Sequence, residues 1–113
     1  MEKNIFEKII DREIPAEIIY EDKVSIAFKD INPQAPIHIL IIPKKRIEMP
    51  EHIDENDKDI VGHLFVIAKK IAIDLGLKDG YRLVMNNGEI AGQSVFHIHL
   101  HLLSGRRLSW PPG

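Results

Sequence analysis

Three histidines stand at alternate positions in the segment His97-Ile98-His99-Leu100-His101-Leu102-Leu103. On an extended strand successive side chains point to opposite faces. The spacing therefore sends Ile98, Leu100 and Leu102 into a core and presents three imidazoles on one surface, about 6.5 to 7 Å apart. Histidine is scarce and titrates near neutrality, and three in strict alternation exceed what the wet side of a half-buried strand requires. Two chemistries suit them. Neutral imidazoles two apart can ligate zinc with a third ligand from elsewhere, although the outer members of such a row lie about 13 to 14 Å apart and cannot all meet one ion without distortion. Alternatively each ring takes a separate task. A central neutral histidine attacks phosphorus, one neighbour helps fix its tautomer, and the other contacts the phosphate or handles a proton, which splits one hard displacement into two easier ones.

The elements that must position these rings are legible in the apolar pattern. Asn4 and Glu7 form a capping-box signature, after which Ile5, Phe6, Ile9 and Ile10 share a helical face until Pro15 ends it. The runs 18–20 and 24–28, separated by Glu21, Asp22 and Lys23, read as a hairpin whose second strand points Val24, Ile26 and Phe28 inward. The run 38–42 is continuously apolar and branched, as expected of a strand covered on both faces; Pro43 closes it before a basic run, Lys44-Lys45-Arg46, read as a solvated loop. Helical spacing persists from 54 to 75, with acids in the first turn and Gly76 just past the end. Strands follow over 81–85 and 96–103, with turn residues Asn86-Asn87-Gly88 and a small polar loop, Gly92-Gln93-Ser94, between them. Two helices and about five strands with short connections predict an α+β domain with an antiparallel sheet, both helices on one face. His52 and His63 take no part in the triad and read as surface or helix residues.

Composition narrows the function by exclusion. The chain has 113 residues, 44% of them hydrophobic and 28% charged, which is ordinary for one globular core. A formal charge of -2 gives no global attraction to nucleic acid or to an anionic membrane, so phosphate recognition must be local. The absence of cysteine excludes thiol catalysis, disulfides and cysteine-ligated zinc. No long apolar segment resembles a signal peptide or a membrane span, so a cytoplasmic location, or a nuclear one, is expected.

The histidine segment, with Gly92-Gln93-Ser94 before it and Trp110-Pro111-Pro112-Gly113 at the end, resembles the histidine-triad (HIT) superfamily. The resemblance is to its nucleotide-binding phosphoramidase branch, the HINT or protein kinase C-interacting proteins. Further matches run from Ile5-Phe6 through Ile14-Pro15-Ala16, along 28–36, and from His38 through Lys45. The resemblance implies a single HIT domain over 1–113. It implies a homodimeric purine nucleoside phosphoramidase that cleaves AMP or GMP phosphoramidates through a nucleotidyl-histidine on His99, with no metal or other cofactor and neither nucleic acid nor membrane as partner. By the same resemblance His97 helps position His99, His101 contacts the phosphate and serves as acid-base partner, and Ser94 bonds the phosphate or leaving group. Strict alternation would turn Ser94 toward the core, so its role requires a loop there, for which Gly92 supplies freedom.

Asp30 matches a ribose-binding carboxylate, Asn86 a polar residue near phosphate or ribose, and His38 a histidine behind the triad. Gly92 and Gln93 belong to the nucleotide-binding loop, and Ile5, Phe6, Ile9, Phe28 and Ile31 resemble an apolar base slot. Taken alone, Asp30 and Asn86 would be turn residues, and His38 and the apolar set would be core. Lys29, where a histidine can occur, and Ser109 depart from the family pattern and bear on leaving-group preference. In the resembling branch the C-terminal segment around Trp110 reaches toward the partner subunit's site. Two other readings fit the same residues: a dinucleoside polyphosphate hydrolase of the sister branch, which the terminal Trp-Pro-Pro-Gly disfavours, and a non-catalytic nucleotide- or zinc-binding adaptor.

Overall fold

The central strands are apolar at consecutive positions, which demands cover on both faces of a sheet. The computed structural model describes residues 2–113 and provides that cover. Five strands, β1 (Ile18–Glu21), β2 (Ser25–Lys29), β3 (Ile37–Pro43), β4 (Arg82–Val84) and β5 (Leu100–Ser104), form one sheet in the order β1-β2-β3-β5-β4. All neighbouring pairs are antiparallel. Helix α1 spans Ile5–Ile10 and α2 spans Lys58–Asp74. No helix among the described residues is long and apolar enough to cross a membrane.

The two helices lie on opposite faces, which corrects the expectation of a shared one. Phe6 and Ile9 of α1 pack with Ile26, Phe28, Leu40 and Ile42. Leu64, Ile67, Ala68 and Ile71 of α2 pack with Ala27, Ile39, Ile41, Leu100 and Leu102. Alternate residues of β2 and β3 thus serve two separate cores.

Local chemistry sets the ends of the elements. The capping box of α1 is formed: Glu7 N–H donates to Asn4 Oδ1 at 2.8 Å and Asn4 N–H to Glu7 Oε1 at 3.0 Å. Val24, expected in the core, is 41% exposed, because its N–H and that of Ser25 both donate to Asp22 Oδ1 and hold it in the turn. His63 is more than a surface residue, since its Nε2 lies 2.7 Å from Asp22 Oδ2 and ties α2 to that turn. The basic run is not simply solvated either. Lys44 pairs with Glu21 at 2.8 Å, Lys45 with the buried Asp57 at 2.5 Å and Arg46 with Glu7 at 2.9 Å, so each cation fastens a different element.

The last strand is shorter than the predicted 96–103. Pairing with β3 runs from Ile37↔Ser104 to Ile41↔Leu100. Two steps further the register would oppose Ile98 to Pro43, which has no N–H to give. Ile98 N–H instead donates to Ile47 O at 2.8 Å, and the backbone before Leu100 is irregular.

Just past β5, Gly105 adopts φ +94°, and a Cβ there would lie 2.8 Å from Pro36 Cβ. Both the conformation and the space require glycine. Gly105→Ala is expected to cost about 1–3 kcal/mol, read as a lower urea midpoint with an unchanged slope. An unchanged midpoint would show that the turn relaxes freely.

Candidate active site

On the α1 face, a cavity of about 300 Å³ opens between α1, the end of β2 and the start of β5. Its apolar wall includes Ile5, Phe6, Ile9, Phe28 and Ile31, and its polar groups include Asp30, Ser94, His99 and His101. Nine of the residues expected in a nucleotide site therefore converge from four separate stretches of chain. Ser94 lies in an irregular, exposed segment before the strand, so the alternation that would have turned it inward does not apply. A larger depression of about 710 Å³, between the end of α2 and Arg82, Arg106 and Arg107, contains none of the expected residues.

The hydrogen bonds assign the protons on the rings. Gln34 N–H donates to His38 Nδ1 at 3.0 Å, which puts the His38 proton on Nε2. That Nε2 lies 2.9 Å from His101 Nδ1 and donates to it, so the His101 proton is on its own Nε2. His101 Nε2 is buried with no partner among the described residues, a donor left over for an occupant of the cavity. His99 Nδ1 lies 2.8 Å from the His97 carbonyl oxygen and donates to it, leaving Nε2 with a bare lone pair. Phe6 meets the His99 ring edge-on, with centroids 5.0 Å apart, and His101 lies 4.9 Å away on the same measure.

Electrostatics keep these rings neutral. Burial lowers the pKa of His38, His97 and His99, with Asp30 opposing the shift at His38 and His99. Burial, reinforced by His99 and His38, pushes His101 down to about 4. A free-base His99 at pH 7 is the form that can act as a nucleophile.

His97 departs from the expected surface of three imidazoles. It is 0% exposed, with Nε2 donating to Pro43 O at 2.8 Å and Nδ1 accepting from Asn4 Nδ2 at 3.1 Å. The regular strand begins only at Leu100, so period-two alternation does not govern the direction of this ring. The contact with His99 is made by the His97 carbonyl rather than its imidazole.

Four other expected residues sit off the cavity wall. Gln93 is buried and braces the loop: its amide donates to Glu48 O at 2.6 Å and Val95 O at 3.0 Å, and its Oε1 accepts from Gly88 N–H at 2.8 Å. Gly92, at φ +103°, supports the turn, and Asn86 packs beside it. His38 stands behind His101. Asn4, which the sequence marks only as a helix cap, enters the site through a bond spanning 93 residues that no local pattern signals.

Asp30, His38 and His101 bring three potential metal-ligand atoms within 4.8 Å of one another. The proton assignment fits this set poorly to a cation. His38 Nδ1 accepts a backbone N–H, so Nε2 carries hydrogen and has no lone pair to give. The His38 and His101 rings instead form a direct hydrogen bond, with Asp30 Oδ2 3.5 Å from His38 Nε2.

Comparison with known proteins accords with this geometry. The HIT domain family model matches residues 11–108. A HIT-like protein of Synechocystis is 56% identical over 112 residues, spanning 99% of this chain and 98% of that one. The crystal structure of a HIT family hydrolase from Legionella pneumophila superposes with a TM-score of 0.95 at 49% identity, covering 98% of this chain and 100% of that one. A histidine triad nucleotide-binding protein from Candida albicans superposes at 0.83 with 34% identity, over 96% of this chain and 83% of its own. The five-stranded antiparallel sheet, the His97–His101 segment and these matches lead to one conclusion: the chain belongs to the histidine-triad, or HIT, family.

Proposed function

We propose that this protein is a purine nucleoside phosphoramidase, releasing AMP or GMP from nucleoside 5′-monophosphoramidates. The observation that carries the reading is the pairing, in one cavity, of a bare Nε2 lone pair on His99 with an unpartnered Nε2–H on His101. In the first step His99 Nε2 forms a bond to phosphorus and the P–N bond breaks. The amine takes up its proton on the solvent side, where Ser94 stands at the rim, while His101 donates to a phosphoryl oxygen. In the second step a water oxygen attacks phosphorus, its proton passes to solvent, and the P–Nε2 bond returns its electrons to His99. The imidazoles and loop donors supply the electrostatic stabilisation, so no metal ion enters either step. The relatives' descriptions as HIT family hydrolase and histidine triad nucleotide-binding protein support this class of activity.

Turnover of adenosine 5′-monophosphoramidate, set beside a diadenosine polyphosphate and measured with a chelator present, tests the reading. AMP release from the first substrate sustains it. Preference for the second moves the assignment to the sister activity, release from neither supports the adaptor, and chelator-sensitive release overturns the metal-free scheme.

Asp30 is the ribose ligand in this reading. Its Oδ1 accepts from Asn32 N–H at 2.8 Å, Oδ2 lies 3.5 Å from His38 Nε2, and the residue lines the cavity. Asp30→Ala is expected to raise KM about 10-fold on ribonucleotide substrates and much less on the 2′-deoxy analogue, because the lost bonds are to sugar hydroxyls. An equal loss on both sugars would place Asp30 elsewhere in the reaction.

A homodimer completes the proposal. The outer edge of β4 is unpaired among the described residues, and α2 exposes Phe65, Val66 and Ile73. A monomer by sedimentation would remove it.

A further inference from the structure

Asn4 uses its side chain at both ends. Oδ1 caps α1 by accepting from Glu7 N–H at 2.8 Å, and Nδ2 lies 3.1 Å from His97 Nδ1. The His97 ring is fully buried and bonded at its other nitrogen to Pro43 O, so the Asn4 amide is the second of two contacts that select its tautomer. The carbonyl of the same residue accepts from His99 Nδ1 at 2.8 Å, and that bond fixes which His99 nitrogen carries the lone pair. Three hydrogen bonds, to Pro43, to Asn4 and to His99, therefore meet at His97.

We propose that Asn4 is a positioning residue for the reaction, acting through His97 to hold the carbonyl that orients the His99 imidazole. Capping alone does not call for asparagine, since aspartate and serine cap helices about equally well. What distinguishes asparagine here is a neutral donor aimed at a bare imidazole nitrogen while its oxygen remains on the helix. The charged and titratable groups around His97 are Glu7 on α1, Arg46 after β3, and His99 itself. Arg46 and Glu7 pair with each other at 2.9 Å. An aspartate at position 4 would add a second carboxylate to this set, facing a ring lone pair, and would draw a proton onto His97 Nδ1.

The inference rests on the phosphoramidase reading for its rate effect but not for its tautomer effect, so the test has two arms. In Asn4→Asp the cap is retained and the thermal midpoint should stay close to wild type. Ring-nitrogen NMR without substrate should show His97 titrating at higher pH than in wild type, and His99 losing its single Nδ1–H tautomer. On adenosine 5′-monophosphoramidate kcat should fall about 10-fold or more, with KM changed less than about threefold. Asn4→Ser also keeps the cap but lacks a second polar atom to reach the ring; it should show the same loss of kcat without the raised His97 titration. Wild-type ring spectra in a folded Asn4→Asp variant, or altered spectra with unchanged kcat, would overturn the proposal. If wild type itself fails to turn over the substrate, the functional reading falls while the spectra still decide whether Asn4 sets the tautomers.

Discussion

His99→Ala is expected to lower kcat on adenosine 5′-monophosphoramidate by at least about 10⁴-fold, with substrate affinity nearly retained. The asymmetry follows from the division of labour in the cavity. Phe28, Ile31 and Asp30 line walls away from the His99 ring, and Phe6, which meets that ring edge-on, is also packed against Phe28, whereas the proposed phosphorus-nitrogen bond depends on His99 alone. His99→Gly should recover part of the lost rate when imidazole is added, because the deleted ring leaves a space against Phe6 of the right shape. A wild-type sample quenched in denaturing base during turnover should carry the mass of one nucleotide, lost again on acidification because protonation of the ring cleaves its bond to phosphorus, and the His99 variants should not. An alanine variant that keeps more than about 1% of the rate would exclude a covalent intermediate on this residue.

Acid should destabilise the fold well above the range where carboxylates titrate. An unfolded chain protonates its histidines near their ordinary value of 6.5, whereas burial delays His101 until about 4 and also lowers His38, His97 and His99. Between those limits the unfolded state binds more protons, so stability is full above about pH 6.5 and declines as the pH falls. His101 alone should account for a loss of about 2 kcal/mol between pH 7.5 and pH 5. Asp22 acts in a separate window. Burial raises its pKa, but His63, Tyr20 and the amides of Val24 and Ser25 outweigh that and bring it down to about 2, so its contribution is lost only in stronger acid. Urea midpoints at the two pH values give the slope, which His101→Gln should make shallower; equal midpoints for the wild type would refute the account.

Much of this architecture was legible because its signals are local. The Asn4 and Glu7 cap, the helix ending before Gly76 and the doubly covered β3 each announce themselves within a few residues. The misplaced features depend on partners distant in sequence. Val24 looked inward by alternation, but a bond to Asp22 outweighed burial of its methyl groups. The shared helix face failed because β2 and β3 feed two cores, a fact that the unbroken apolar run in β3 already contained. Alternation places the His97 ring on one surface with the other two only if the strand is extended past the point where Pro43 ends the ladder. For the site, the identity of the cavity residues came mainly from resemblance, since Asp30 or Phe28 alone would pass for turn and core. Gln93 and Asn4 show the remaining gap: what their amides grip, Glu48 O and His97 Nδ1, lies 45 and 93 residues away.

Helix α1 has only six residues, far fewer than an isolated helix needs to persist in water. Its order comes from Phe6 and Ile9 seated on the sheet and from Arg46 gripping Glu7. The wall of the cavity therefore has little cooperative reserve of its own, and its brief local openings need not involve α2 or the second core. A ligand lying against Ile5 and Phe6 would share in holding that wall closed. Amide hydrogen exchange in α1 would slow upon nucleotide binding while exchange in α2 stayed unchanged, so the helix would report occupancy of the site before any bond is made or broken.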